Sequence, residues 1–166
     1  KGARILGLSY PGGPAIESCA KTGDENSISF PKAFFHSNTI EFSFSGLKTS
    51  LLYRMQSEDN SKTNTLSQND IAASYQKAII EALISKCELA VTETGVQTLV
   101  IAGGVAANKK LRAMVKDTLA DCRILYPDLP LCTDNAAMIA FLGEKYLVMG
   151  KRAAIDFPIF PNLTLA

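Results

Sequence analysis

The chain has 166 residues, of which 47% are hydrophobic and 20% charged. That is the size and balance of one ordinary globular domain, long enough to bury about 70% of its unfolded surface. A net charge of +1 gives no average field to draw in nucleic acid or an anionic membrane, so any RNA contact needs a local basic patch or a partner subunit.

Lys1–Leu8 reads as the end of a helix, stopped at Gly7 and the turn Ser9-Tyr10-Pro11-Gly12-Gly13-Pro14. The first residue is not Met, and the chain is expected to be a piece of a longer protein. Pro14 suits the first turn of a new helix, predicted over Ala15–Lys21, because the N–H it lacks would be unpaired there. Thr22–Asn26 is a polar loop. Ser27–Phe44, in which Ile40, Phe42 and Phe44 alternate with polar residues, predicts short strands. Ser45 caps a helix to about Gln56, with Leu47, Leu51 and Met55 on one face. Ser57–Asn69 is polar and aperiodic, a loop or linker. Ser67 and Asp70 have the spacing of a capping box, and they open a long helix from Asp70 to about Thr94 that Gly95 ends. Its apolar residues Ile71, Tyr75, Ile79, Leu83 and Leu89 mostly recur at helical spacing.

Thr98–Ala102 is a continuous apolar run, as in a buried strand of a covered sheet. Gly103-Gly104 breaks it. Asn108–Leu119 is an amphipathic helix through Leu111, Val115 and Leu119. Arg123–Tyr126 is a second strand, Pro127–Pro130 a turn, and Thr133–Met149 a third helix with Ile139, Leu142 and Tyr146 on one face. Asp156–Ala166, with Pro158 and Pro161, should be extended. Helix–strand–helix–strand–helix implies an α/β layer.

Three segments carry possible chemistry. In Val100-Ile101-Ala102-Gly103-Gly104-Val105-Ala106-Ala107-Asn108 a strand delivers two glycines before a helix. Glycine allows a ligand close to the backbone, and a helix start offers unpaired N–H groups to phosphate or a purine edge. Asn108 can donate and accept there, or simply cap the helix. Pro11-Gly12-Gly13-Pro14 is a second glycine pair, a rigid turn if it stands alone. Asp134 in Cys132-Thr133-Asp134-Asn135 is a hard oxygen donor able to hold a metal, although capping the helix is the commoner use of Thr133 or Asp134 at such a place.

Other residues carry less. His36 is the single histidine, so Ser43 and Ser45 cannot join a triad. Lys48 lacks the upstream glycine of a P-loop. Cys19, Cys87, Cys122 and Cys132 form no C-x-x-C pair, which excludes a self-contained zinc finger. Without a secretory signal or a membrane-length apolar run, they suggest a reducing cytosol, and a cytoplasmic location is expected. Lys109, Lys110, Arg112 and Lys116 read as a solvated helix face.

Four segments in order resemble one family: Tyr10-Pro11-Gly12-Gly13-Pro14, Phe42-Ser43-Phe44-Ser45-Gly46-Leu47-Lys48-Thr49, Gly103–Asn108 with Leu111-Arg112, and Cys132–Ala140. Together they resemble the C-terminal half of the TsaD/Gcp/Kae-type tRNA threonylcarbamoyladenosine proteins, from Lys1 to Met149. The resemblance implies an α/β actin-like ATPase (ASKHA) fold, with residues 1–166 as the C-terminal nucleotide-binding lobe of a two-lobed protein. It implies transfer of a threonylcarbamoyl group from threonylcarbamoyl-adenylate to the adenosine 3′ of the anticodon. It also implies ATP or that adenylate as ligand, and one divalent metal, iron or zinc. Gly13 and Asn108 match nucleotide-binding positions, Gly103 and Gly104 lie in the same glycine turn, and Asp134 matches the metal-binding aspartate. The family's histidine pair is absent from this chain, so neither transfer nor tight nucleotide binding is expected of these residues alone. The implied partners are tRNA and TsaB-like and TsaE-like proteins, with a homodimer or heterodimer and no membrane.

Three other functions compete. A metallopeptidase, which the family's older name glycoprotease suggests, needs a motif such as H-E-x-x-H that is not here. A noncatalytic nucleotide-binding or dimerisation module would have no use for Asp134. A sugar-kinase or chaperone ATPase lobe leaves Phe42–Thr49 unexplained.

Overall fold

The structure, a computed structural model, describes residues 1–35, 37–58 and 66–160. His36, much of the predicted loop Ser57–Asn69, and Pro161–Ala166 lie outside the described residues. In chain order the elements are α1 (Gly2–Ile5), α2 (Gly12–Ala20), α3 (Ser45–Glu58), α4 (Gln68–Thr94), β1 (Thr98–Val100), α5 (Lys109–Thr118), β2 (Arg123–Leu125) and α6 (Ala136–Val148).

The capping box at the head of α4 forms in both directions. The Asp70 amide donates to Ser67 Oγ at 3.1 Å, and Ser67 N donates to Asp70 Oδ2 at 3.3 Å. At the other end Gly95 takes a left-handed φ of 66° and stops the helix. Between these signals α4 carries more than the predicted stripe, since six successive residues, Ile71 to Gln76, are all buried. Two clusters meet on it. Ile71 and Tyr75 pack with Leu6, Phe30, Leu47 and Leu51, while Ile80 and Ile84 pack with Leu111, Val115 and Leu119 of the α5 region. Alanines at 72, 73, 78 and 82 let neighbouring elements approach the rod closely. Each large aliphatic side chain so buried stabilises the fold by about 1.5–3 kcal/mol. The predicted faces of α3 and α5 are therefore the buried ones.

The loop after α2 is fastened to the start of α4. Asp24 N donates to Asp70 Oδ1 at 2.7 Å, and Ser74 Oγ accepts from Ile28 N at 3.1 Å. The Ser67 hydroxyl, together with the Asp24 and Ser67 amides, holds the Asp70 carboxyl below its ordinary value. A carboxyl whose folded pKa is depressed contributes stability above its unfolded pKa and loses it as pH falls through the folded one. Melting of the wild type should therefore fall more steeply than that of Asp70→Asn as pH drops below the usual carboxylate range. Parallel melting curves between neutral and strongly acidic pH would check this.

Two strand expectations are corrected. Ser27–Phe44 forms no strand among the described residues. Its apolar side chains are not sorted onto one covered face: Phe30 is buried edge-on against Tyr75, whereas Ile40 and Phe42 are exposed. Thr98–Ala102 is not a buried central strand either. β1 pairs in parallel with β2 (Leu99 opposite Ile124, Val100 opposite Leu125) across the α5 crossover. Leu99, Ile101 and Ile124 pack on the second cluster. Val100 and Leu125 face away from it and are exposed, Val100 to 64%. Only one face of this two-stranded sheet is covered by the described residues.

α6 is similar. Its apolar face forms as the spacing predicts, but Ile139, Leu142 and Tyr146 are exposed, and no residue of the helix is buried. It starts at Ala136 rather than Thr133, because Asn135 is the cap: Asn135 Oδ1 accepts from Met138 N at 3.0 Å. Neither Thr133 nor Asp134 caps it. Of the tail, Asp156–Phe160 is described and exposed.

Candidate functional site

After β1 the backbone turns at Gly103, with φ 86° and ψ 176°, a conformation that side chains other than glycine rarely adopt. One 3₁₀ turn, Gly104–Ala107, then leads to Asn108, the cap of α5. Asn108 uses both the oxygen and the nitrogen of its amide. Oδ1 accepts from Leu111 N at 2.9 Å, and Nδ2 donates to Gln76 Oε1 on α4 at 3.0 Å. Gly104 is different from Gly103, since its φ is not left-handed and a Cβ there would meet only the Thr133 methyl, at 3.9 Å. The fold does not require a glycine at 104, and the bare backbone is left open to a ligand.

The same contrast separates the two glycines of the other turn. α2 begins at Gly12, earlier than the Ala15 predicted, with Pro11 as its cap. A Cβ on Gly12 would sit 2.8 Å from Ala3 Cβ, so close packing of α1 on α2 requires this glycine. At Gly13 a Cβ would meet nothing within 4 Å. One turn further along α2, Glu17 Oε1 accepts from Lys109 N at 2.8 Å. That bond satisfies one of the unpaired amides at the start of α5 and ties the Gly13 helix to the helix that Asn108 caps.

Asp134 lies on the other side of the glycine turn. It is exposed, and among the described residues no hydrogen bond or ion pair involves its side chain. Asn135 has taken the capping role, and its Nδ2 donates to Thr133 O at 2.9 Å. Asp134 and Gly103 share one cavity of about 550 Å³, lined also by Ala102, Cys132, Met138 and Phe141. A smaller hollow of about 390 Å³ adjoins Asp134 on the α6 side. No group of three histidine, cysteine or acidic residues is placed to hold a metal among the described residues. The free carboxylate fits a metal as one ligand of several, with the others supplied from elsewhere.

The basic residues of α5 are not uniformly solvated, which corrects the expectation of a solvated face. Lys110 pairs with Glu25, and burial lowers its pKa. Arg112 is half-buried and lies over the Tyr126 ring, 4.5 Å from its centroid. Lys109 and Lys116 are exposed. Ser43 and Ser45 hydrogen-bond each other at 3.2 Å beside the stacked rings of Phe42 and Phe44.

A profile of the family described as "TsaD: tRNA N6-adenosine threonylcarbamoyltransferase" matches residues 1–141. The chain belongs to the TsaD family. It is 46% identical over 167 residues to a protein of Thermosipho africanus, covering 99% of this chain and 50% of the relative. It is 45% identical to one of Anaeromyxobacter dehalogenans (97% and 48% covered) and 41% identical to one of Chromobacterium violaceum (100% and 50% covered). All three are named tRNA N6-adenosine threonylcarbamoyltransferase. The chain thus spans about half the length of these curated TsaD relatives. All four motif segments fall within the matched residues. TsaD membership implies an actin-like ATPase type of fold, and the parallel β1–β2 pair with its helices is compatible with part of such a lobe. No helix among the described residues is long and apolar enough to cross a membrane.

Glu17, Gln76 and Arg112 were not legible as site-building residues. Glu17 and Gln76 are ordinary helical polar residues whose partners lie far along the chain, and Arg112, although it stands in the third motif segment, reads there only as one of four basic residues on a helix face.

Proposed function

We propose that this chain is the C-terminal lobe of a tRNA adenosine threonylcarbamoyltransferase and forms one wall of a cleft that the rest of the protein closes. The observation that carries the proposal is the single cavity shared by Gly103 and Asp134, with Asp134 left uncommitted by the Asn135 cap. Threonylcarbamoyl-adenylate is an activated mixed anhydride. Attack by the exocyclic amine of adenosine forms the new C–N bond, breaks the bond from the carbamoyl carbon to the phosphate oxygen, and releases AMP and the amine proton. A protein nucleophile is therefore unnecessary, and the protein must instead hold donor and amine in line.

The residues suit that task. Gly13 and Gly104 present bare backbone where a Cβ would meet open space or one methyl, which admits a phosphate or purine edge. Asn108 fixes the start of α5 by its bonds to Leu111 N and Gln76. Asp134 would supply one ligand to a divalent metal, iron or zinc, completed by residues outside this chain. Such a metal, when bound, polarises the donor as a Lewis acid. The tRNA and the TsaB-like and TsaE-like partners would engage the whole protein, in the cytosol.

The test is direct. The full-length protein is incubated with threonylcarbamoyl-adenylate and a transcript of a tRNA that reads codons starting with A, and its nucleosides are analysed by mass spectrometry. Threonylcarbamoyladenosine next to the anticodon is expected from the full-length protein and not from the 166-residue chain alone. Binding of the adenylate with no modification of any such tRNA would favour the noncatalytic module instead.

A further inference from the structure

We infer that Arg112 is a positioning residue of this site: it fixes the gap between the glycine turn and Asp134 without touching what binds between them. The ligand in this inference rests on the transferase proposal, while the geometry belongs to the chain itself. Arg112 stands one turn past the Asn108 cap, and helix side chains lean toward the N-terminus, which brings its guanidinium back over the glycine turn. Nε donates to Ala106 O at 2.6 Å. Nη2 reaches Pro127 O at 3.3 Å and Cys132 Sγ at 3.5 Å. Ala106 lies in the glycine turn, Pro127 follows β2, and Cys132 is buried two residues before Asp134. Cys132 Sγ in turn lies 3.7 Å from Pro127 O and 3.6 Å from Asp128 O.

No backbone hydrogen bond joins residues 103–108 to residues 127–135 among those described. One planar group therefore spans segments on two sides of the cavity that the backbone ladder leaves unconnected. A lysine at this position would place one ammonium where three acceptors are spread around a rigid fork, and could not serve them together. The acceptors are also neutral, and no carboxylate pairs with this guanidinium among the described residues. A half-buried cation without a counter-charge is a costly way to make a purely structural tie. Behind a site for an anionic adenylate, the same charge is favourable.

The experiment uses the full-length protein as wild type, Arg112→Lys and Arg112→Met, assayed well below the melting temperature of each. KM and kcat for threonylcarbamoyl-adenylate are measured, and zinc affinity is determined separately by competition with a chelator. Both variants are expected to raise KM and weaken zinc binding by about tenfold each, with kcat changed much less. A lower melting temperature with KM and zinc affinity unchanged would reduce Arg112 to a structural tie. Normal values in Arg112→Lys, with a defect only in Arg112→Met, would show that charge rather than the fork matters and would overturn the inference. A wild-type protein that neither modifies tRNA nor holds zinc would sink the transferase proposal and this inference together, whereas an active wild type with unaltered variants sinks this one alone.

Discussion

Asp134→Ala in the full-length protein is expected to abolish tRNA modification and bound metal while changing stability by no more than about 0.5 kcal/mol, the usual range for an exposed residue with no special role. The small stability effect follows from what Asp134 does not do. It caps no helix, since Asn135 Oδ1 holds the Met138 amide, and its carboxylate has no partner among the described residues. The large functional effect follows from chemistry that no neighbour replaces, because Asn135 is neutral and already engaged and Thr133 is a weaker donor. Asn135→Ala is the informative contrast. It should cost about 1 kcal/mol through loss of the cap and retain metal. Metal content, thermal melting and nucleoside analysis on both variants decide the matter. Retained metal and near-normal modification in Asp134→Ala would remove the metal assignment.

Gly23→Ala carries the largest stability effect expected outside the site, about 3 kcal/mol, at the upper end of what overpacking usually costs. A Cβ on Gly23 would overlap the carbonyl of Asn69 and stand 2.7 Å from Asp70 N. These are backbone atoms in the first turn of α4, so no side chain can swing aside. Relief requires the loop after α2 to lift off α4. That motion breaks the 2.7 Å bond from Asp24 N to Asp70 Oδ1 and the bonds through Ser74. Gly143→Ala is the control, because Gly143 lies in the interior of α6, its Cβ meets nothing within 4 Å, and alanine is favoured over glycine in a helix interior by about 0.8–1 kcal/mol. Denaturant unfolding of the two variants should show opposite signs. Equal stability of Gly23→Ala and wild type would mean that the loop does not lie against α4 as described.

The contrast between these glycines shows where sequence suffices and where it does not. Leu111, Val115 and Leu119 could be read as a buried face because their spacing is local and their cover, Ile80 and Ile84, lies within the chain. The box of Ser67 and Asp70 was legible for the same reason. The cap of α6 was not, because Thr133, Asp134 and Asn135 are three successive capping residues and only the backbone chooses among them. The run Leu99-Val100-Ile101 promised two covered faces, yet apolar character states a preference for cover and does not supply it. Ile40, Phe42 and Phe44 alternate correctly for a strand, but pairing needs a neighbour that spacing cannot specify. Arg112 looked solvated because its three acceptors are distributed over residues 106 to 132.

Gln76 is a buried residue of α4, flanked along the helix by Tyr75 and Ala78 of the first cluster, and it is the residue that holds Asn108. The start of α5 is thereby surveyed from the most deeply buried helix among the described residues, which serves as a fixed datum, and not from the half-covered sheet. A second layer laid over Val100 and Leu125, or against α6, can arrive, shift or leave without resetting that benchmark. In the cleft proposed above, the wall that this chain supplies is thus set by its own core.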